Sequence, residues 1–221
     1  MIFRDRRDAG RQLAAALRAY RGRAPVVLAI PRGGVVVGYE VARGLEAPLD
    51  IVVPRKLRAP HNPELAIGAV AHDGSVFLDA PLIASLGVGE DYIRAETAEQ
   101  LDEIRRRMDA YRDGRSAPVL TDASAIVVDD GIATGSTMIA ALRAVRGMAP
   151  AAVVAAIPVA PADTALRLRD EADDVICLHL PTVFYAVGQF YVDFGQTDDD
   201  EVVELLRQRE RERAQSKAGD A

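Results

Sequence analysis

The chain holds one cysteine, Cys177, and only two lysines among its 27 basic residues, Lys56 and Lys217. A lone cysteine excludes an intrachain disulfide, and a reducing cytoplasm is the expected location. No apolar run approaches the roughly 20 residues that a membrane helix needs. The opening Met-Ile-Phe-Arg-Asp-Arg-Arg carries charge where a signal peptide requires an apolar stretch. Positive charge is not in surplus: 33 acidic residues give a net charge of -6, so the electrostatic footprint of a nucleic-acid binder is missing. Small molecules are the expected partners. The 17 glycines and 12 prolines are scattered, which excludes a low-complexity chain. What is there, 221 residues that are 49% apolar and 27% charged, suits one globular domain with a core of its own.

Ala9, Leu13, Leu17 and Tyr20 recur at helical spacing and predict a helix over 5–21, stopped by Gly22. Short apolar runs at 26–30, 50–53, 125–128, 152–157 and 175–178 alternate with helical patterns at about 35–44, 135–146 and 161–171. Continuous apolar runs suit strands buried on both faces, and the alternation predicts an α/β fold with a mostly parallel sheet. Between the two series, 66–71 and 76–78 flank His72-Asp73-Gly74-Ser75, a turn signal that predicts an antiparallel hairpin. A charged helix is expected over 90–112, with Leu101, Ile104, Met108 and Tyr111 as its core stripe. A capped helix is expected from Thr197 to Arg213 and a disordered tail over 214–221. The whole reads as one domain, 1–213, with core segments at about 22–58 and 117–180, an insertion at 59–116 and a C-terminal segment at 181–213.

The strongest chemical signal is Ile126-Val127-Val128-Asp129-Asp130-Gly131-Ile132-Ala133-Thr134-Gly135-Ser136-Thr137-Met138. An apolar strand delivers two carboxylates at its C-terminal edge, and a loop of small residues runs from them into a helix. Ligands of open α/β sheets bind at that edge, and a helix N-terminus offers free N–H groups to a phosphate. Thr134, Ser136 and Thr137 add hydroxyls, while Gly131 and Gly135 admit close approach of the backbone. Two acids beside a phosphate cradle would repel the ligand unless they bind something else, such as ribose hydroxyls or a metal-bound water. A sugar phosphate with Mg2+ satisfies both. A second motif, Pro31-Arg32-Gly33-Gly34, follows the first strand on the same edge and suggests a second anion site, hence a diphosphate. The lack of Gly-x-x-x-x-Gly-Lys-Ser/Thr leaves a P-loop nucleotidase unsupported, and Gly33 to Gly38 lacks the spacing of a dinucleotide fingerprint.

These motifs resemble those of the type I phosphoribosyltransferases over about residues 25–195. The 126–138 stretch is similar to the family's phosphoribosyl diphosphate (PRPP) motif, and 31–34 to its diphosphate loop. More narrowly, the chain resembles a group known only as predicted phosphoribosyltransferases, some of them fused to hydrolase domains. The resemblance implies a Rossmann-like, five-stranded parallel core sheet of order 3-2-1-4-5, helices on both faces, a hairpin with a flexible loop and a small hood subdomain. It implies that Gly131, Ile132, Ala133, Thr134, Gly135, Ser136 and Thr137 hold the 5-phosphate. Asp129 and Asp130 would take the ribose hydroxyls, with Mg2+ carried by PRPP and reached by these acids at most through water. Pro31, Arg32, Gly33 and Gly34 would hold the diphosphate, in a loop that in the family often contains a non-proline cis peptide. Arg55 and Lys56, at the mobile loop of the family, are candidates for catalysis at the departing diphosphate. Tyr185, Val187 and Asp193 can be laid on the base-binding pattern, one residue out of register, with plain core packing as the other reading of Tyr185.

One departure narrows the substrate. The purine-salvage enzymes carry a carboxylate where this chain has Ala133, so a 6-oxopurine is disfavoured and the orotate-type and regulatory members stay open. The expected activity is Mg2+-dependent transfer of 5-phosphoribosyl from PRPP to a nitrogenous base with release of diphosphate. The alternatives are a PRPP-sensing protein without catalysis and a simpler sugar-phosphate binder. A homodimer is compatible with the family. His61, His72 and His179 lack the spacing of a zinc site, Cys177 in its apolar strand run reads as a small buried residue, and neither Ser124 nor Ser136 lies in a nucleophile elbow.

Overall fold

The computed structural model describes residues 2–70, 74, 76–112 and 114–219. The first helix, α1 (Arg6–Ala16), is capped by Asp5, whose carboxylate accepts from the Asp8 N–H at 2.7 Å. A short 3-10 turn, Arg18–Tyr20, leads to β1 (Pro25–Ala29) and α2 (Gly33–Leu45). Next come β2 (Leu49–Ile51), a meander of β3 (Arg55–Ala59), β4 (Asn62–Val70) and β5 (Val76–Leu78), and then α3 (Ala80–Leu86) and α4 (Glu90–Arg112). The second half runs β6 (Ser124–Val128), α5 (Ser136–Gly147), β7 (Ala152–Val159), α6 (Ala162–Leu168), β8 (Asp174–His179) and α7 (Asp199–Gly219).

The core is a five-stranded parallel sheet of order β2-β1-β6-β7-β8. Counted along the chain, its five strands stand 2-1-3-4-5, which corrects the expected 3-2-1-4-5. All five are short apolar runs, and such runs carry no mark of which neighbour each will take. The chain places β2 on one side of β1 and, after the insertion, β6 on the other, with Val27↔Ile126 and Ala29↔Val128 in register. The winding therefore reverses between β1 and β6, and the crevice above their C-terminal ends is the topological switch point where such sheets bind ligands.

Alternate strand residues feed two cores. Val27, Ala29, Ile126 and Val128 pack with α1, α2, α4 and α7, while Leu28, Ala125, Val127 and Ile157 pack with α5 and α6. Of the expected α4 stripe, Ile104, Met108 and Tyr111 are buried and Leu101 is partly buried against the same core. The helix is tied to β2 by Arg112, whose Nη2 lies 2.6 Å from Asp50 Oδ2. The antiparallel excursion is three-stranded, β3-β4-β5. Its expected turn falls at His72, Asp73 and Ser75, outside the described residues. The last helix packs on α2 and continues to Gly219, so 214–219, expected as tail, are helical. Among the described residues no helix is long and apolar enough to cross a membrane.

Candidate active site

Both signal loops leave the sheet at the switch point. Ile30 donates to the Val128 carbonyl at 2.9 Å, so the loop after β1 starts beside the end of β6. The Pro31–Arg32 peptide is cis. Gly33 and Gly34 then press onto the acid pair. A Cβ on Gly33 would stand 2.0 Å from Asp130 Oδ2, and one on Gly34 would stand 3.0 Å from Asp129 Cα. Glycine serves close approach here rather than a turn.

On the other side of the acids, Gly135 adopts φ +75° as the residue before α5, and its missing Cβ leaves room for the Thr164 methyl. No side chain caps α5, so its first-turn N–H groups have no intrahelical partner. The side chains of Thr134, Ser136 and Thr137 are exposed beside them, with Thr134 Oγ1 and Ser136 Oγ 3.3 Å apart. The loop is fixed from below: Ile132 donates to Val159 O at 3.1 Å, and the carbonyls of Ala133 and Thr134 accept from Thr164 Oγ1 and Arg167 Nη2, each at 2.8 Å. Its carbonyls are thus engaged by α6, while its hydroxyls are left facing outward, the polarity an anion requires.

The acids themselves differ. Asp129 Oδ1 accepts from the Asp130 N–H at 2.8 Å. Burial, and after it the charge of Asp130, push the Asp129 carboxyl well above the ordinary carboxylate range. Asp130 is paired instead: Arg6 Nε lies 2.7 Å from its Oδ2, with both side chains largely buried. Arg6 also donates through Nη1 to the Gly195 carbonyl at 2.6 Å, and its guanidinium carbon lies 3.9 Å from the centre of the Phe194 ring. The Tyr191 hydroxyl donates to the Asp130 carbonyl, and burial pushes that phenol far up. Phe3 and Arg4, ahead of α1, are hydrogen-bonded through their backbones to 190–193, which closes this wall. The sequence reading missed Arg6, Tyr191 and Phe194; an Arg in a charged opening helix has no local mark of its role.

The other expected site residues are distributed unevenly. Val187 lies against Gly131, where a Cβ would come within 2.5 Å of its Cγ1, so the C-terminal segment touches the 131–137 loop. Tyr185 is 87% exposed, and its backbone N–H donates to Gln189 Oε1 at 2.7 Å. Asp193 is exposed and accepts from Gly195 N at 3.2 Å, on the outer side of Arg6. Arg55 is turned onto α4, with Nε 3.0 Å from Gln100 Oε1, and its burial there lowers its pKa. Lys56 shares a register with Ala69 and Phe77 and so lies on the face of the small sheet where Phe77 stacks under Arg143 of α5. Arg32 borders a cleft of about 500 Å³ with Arg106, Arg107, Tyr111 and Asp199. Its Nη1 stands 3.9 Å from Asp199, which also accepts from the Tyr111 hydroxyl at 2.6 Å. Cys177 is half-buried, with a thiol that burial pushes up.

A doubly wound sheet whose switch point carries an acid pair between two glycine-bearing loops has the architecture in which open α/β sheets bind their ligands. The family model of the phosphoribosyl transferase domain matches residues 4–195, and the chain belongs to that family. It is 46% identical over 220 residues to proteins of two Mycobacterium tuberculosis strains, CDC 1551 and H37Rv, each named "putative phosphoribosyl transferase". That match takes in 100% of this chain and 50% of theirs, so the chain spans about half the length of these curated relatives. The crystal structure of TT1426 from Thermus thermophilus is similar at 44% identity and a TM-score of 0.87, covering 94% of this chain and 99% of that one.

Proposed function

We propose that the protein transfers the 5-phosphoribosyl group of PRPP to a nitrogen nucleophile and releases diphosphate, with Mg2+. The observation that carries this reading is the contact of Gly33 and Gly34 with Asp130 and Asp129, because it sets two anion-suited backbones on either side of one acid pair. A 5-phosphate on Gly131 to Thr137 and a diphosphate on Pro31 to Gly34 leave the ribose over Asp129 and Asp130. There the acids accept from its hydroxyls instead of meeting phosphate charge. Mg2+ would be carried by the substrate's diphosphate oxygens, with Asp129 and Asp130 reaching it through water. Bound there, the ion supplies positive charge to the leaving group.

In the transfer the C1–O bond breaks, its electron pair leaves with diphosphate, and the acceptor nitrogen bonds to C1 and gives up its proton. Charge grows on the diphosphate oxygens, so Arg32, the loop N–H groups and Lys56 act where they bind the transition state more tightly than the ground state. Val187 over Gly131 supports an acceptor site under the C-terminal segment, with the exposed Tyr185 ring at its rim and Asp193 beyond it. Diphosphate release from PRPP and Mg2+, followed over purine, pyrimidine and nicotinate-like acceptors, tests the reading. Acceptor-dependent release supports it, whereas PRPP binding without release under every acceptor identifies a sensor.

A further inference from the structure

We infer that Arg6 is a positioning residue for the ribose-binding acid: it holds the Asp130 carboxylate in place for the sugar and thereby couples α1 and the C-terminal segment to the PRPP site. This inference rests on the reading of Asp129 and Asp130 as ribose acceptors. Arg6 is 124 residues away from Asp130 in sequence, yet its Nε is aimed at Oδ2 from 2.7 Å, and the two side chains are only 12% and 15% exposed. A surface ion pair of this kind contributes little, but one enclosed by protein is a charge-assisted bond that fixes geometry.

The guanidinium is held at three points. Nε holds Asp130, Nη1 holds the Gly195 carbonyl, and the π face of Phe194 covers the plane. Phe194 in turn packs on Tyr191 with ring centres 5.0 Å apart, and the Tyr191 hydroxyl holds the backbone carbonyl of Asp130. Asp130 is therefore gripped twice, at its carboxylate by α1 and at its main chain by the C-terminal segment, and both grips meet at Phe194. Gly33 closes a third side.

The charges around the pair make its purpose specific. Asp129 and Asp130 are adjacent, and the ligand brings further negative charge. Arg6 is the cation in hydrogen-bond contact with the acid pair among the described residues, with Asp5, Arg7, Asp193 and Glu201 on its solvent side and Tyr191 on its inner side. Nε takes Oδ2 of Asp130, and the Arg6 charge offsets the repulsion that Asp130 exerts on Asp129. Lysine offers the charge without the fork or the planar stack, so the conservative change keeps only part of the function.

The test is a double-mutant cycle read by calorimetric binding of PRPP with Mg2+, with inorganic diphosphate as the second ligand. Arg6→Gln is expected to weaken PRPP binding roughly tenfold, about 1.4 kcal/mol, and Arg6→Lys to recover part of that loss. Diphosphate, which needs only the 31–34 loop, is expected to bind the Arg6 variants as it binds the wild type. Adding Arg6→Gln to Asp130→Asn is expected to cost nothing more than Asp130→Asn alone, because Arg6 acts through Asp130. Additive losses, or an equal loss of diphosphate affinity, would mean that Arg6 merely holds the fold together and would overturn the inference. PRPP binding unchanged in Asp130→Asn would instead remove the ribose reading beneath it. If Arg6→Gln fails to fold, Arg6→Lys and its cycle with Asp130→Asn carry the same comparison.

Discussion

Gly33 and Asp130 are packed so closely that a methyl group on residue 33 would stand 2.0 Å from the Asp130 Oδ2 and 2.7 Å from the Arg6 Nε. The 31–34 loop and the acid pair are thus one unit, although 97 residues separate Gly33 from Asp130 along the chain.

Gly33→Ala follows from that contact. The ends of the Asp130 and Arg6 side chains can swing away, so the fold survives with a loss of about 1–3 kcal/mol, the usual cost of overpacking. The ion pair does not survive, and PRPP affinity is expected to fall at least as far as in Arg6→Gln. Calorimetry on the variant with an unshifted affinity would show that the unit is not needed.

Asp129 gives a pH signature. Its folded-state pKa is raised by burial and by Asp130, above the unfolded value of about 3.9. Between the two values the folded protein holds a proton that the unfolded chain has lost, so this group's contribution to stability falls as pH rises from about 4. Asp129→Asn keeps the shape without the charge. Urea unfolding of both proteins from acid to neutral pH is expected to show the wild type losing ground to the variant; a constant difference would contradict the burial argument.

Arg112 and Asp50 tie the end of α4 to β2, with Nη2 to Oδ2 at 2.6 Å and side chains 16% and 5% exposed. Asp50→Ala strands the cation and is expected to cost about 3–5 kcal/mol, while Asp50→Leu combined with Arg112→Met recovers most of it. Denaturant midpoints for the two proteins decide the matter, since equal losses would mean that the pair's charge is unimportant.

Arg55 and Lys56 are expected to separate. Lys56→Ala should slow diphosphate release on the order of a hundredfold with PRPP affinity nearly unchanged, as for a group that meets charge in the transition state. Arg55→Gln should mainly loosen α4, by about 1 kcal/mol for the bond to Gln100. A reversal of these two phenotypes would exchange their roles.

The parts legible in the sequence were those whose cause is local. The apolar run into Asp129-Asp130 and the small residues that follow it fix strand, loop and helix within 13 residues. The stripe Ile104, Met108, Tyr111 marks a buried helix face for the same reason. The neighbour of β6 was not legible, because nothing within Ser124–Val128 tells one side of β1 from the other. β3 was hidden because Arg55, Lys56 and Arg58 break the apolar pattern, and the partners of both arginines lie on α4. The helix α3 had signals that went unused: Asp79 caps Leu82 N, and Gly87 takes a left-handed φ of +63° at its end. Arg6, Tyr191 and Phe194 acquire their role only when the two ends of the chain meet at the sheet edge. Hence the two loops at the sheet edge could be read in advance and the wall that steadies them could not.

The central claim is that the loops after β1 and β6 form one PRPP site. Calorimetric titration of the wild type with PRPP and Mg2+, repeated with saturating diphosphate and in the combined Asp129→Asn and Asp130→Asn variant, tests it most directly. The account predicts one site per chain, competition by diphosphate, and loss of PRPP binding in a variant that still folds and still binds diphosphate. Absence of PRPP binding by the wild type, or binding indifferent to both acids, would contradict it.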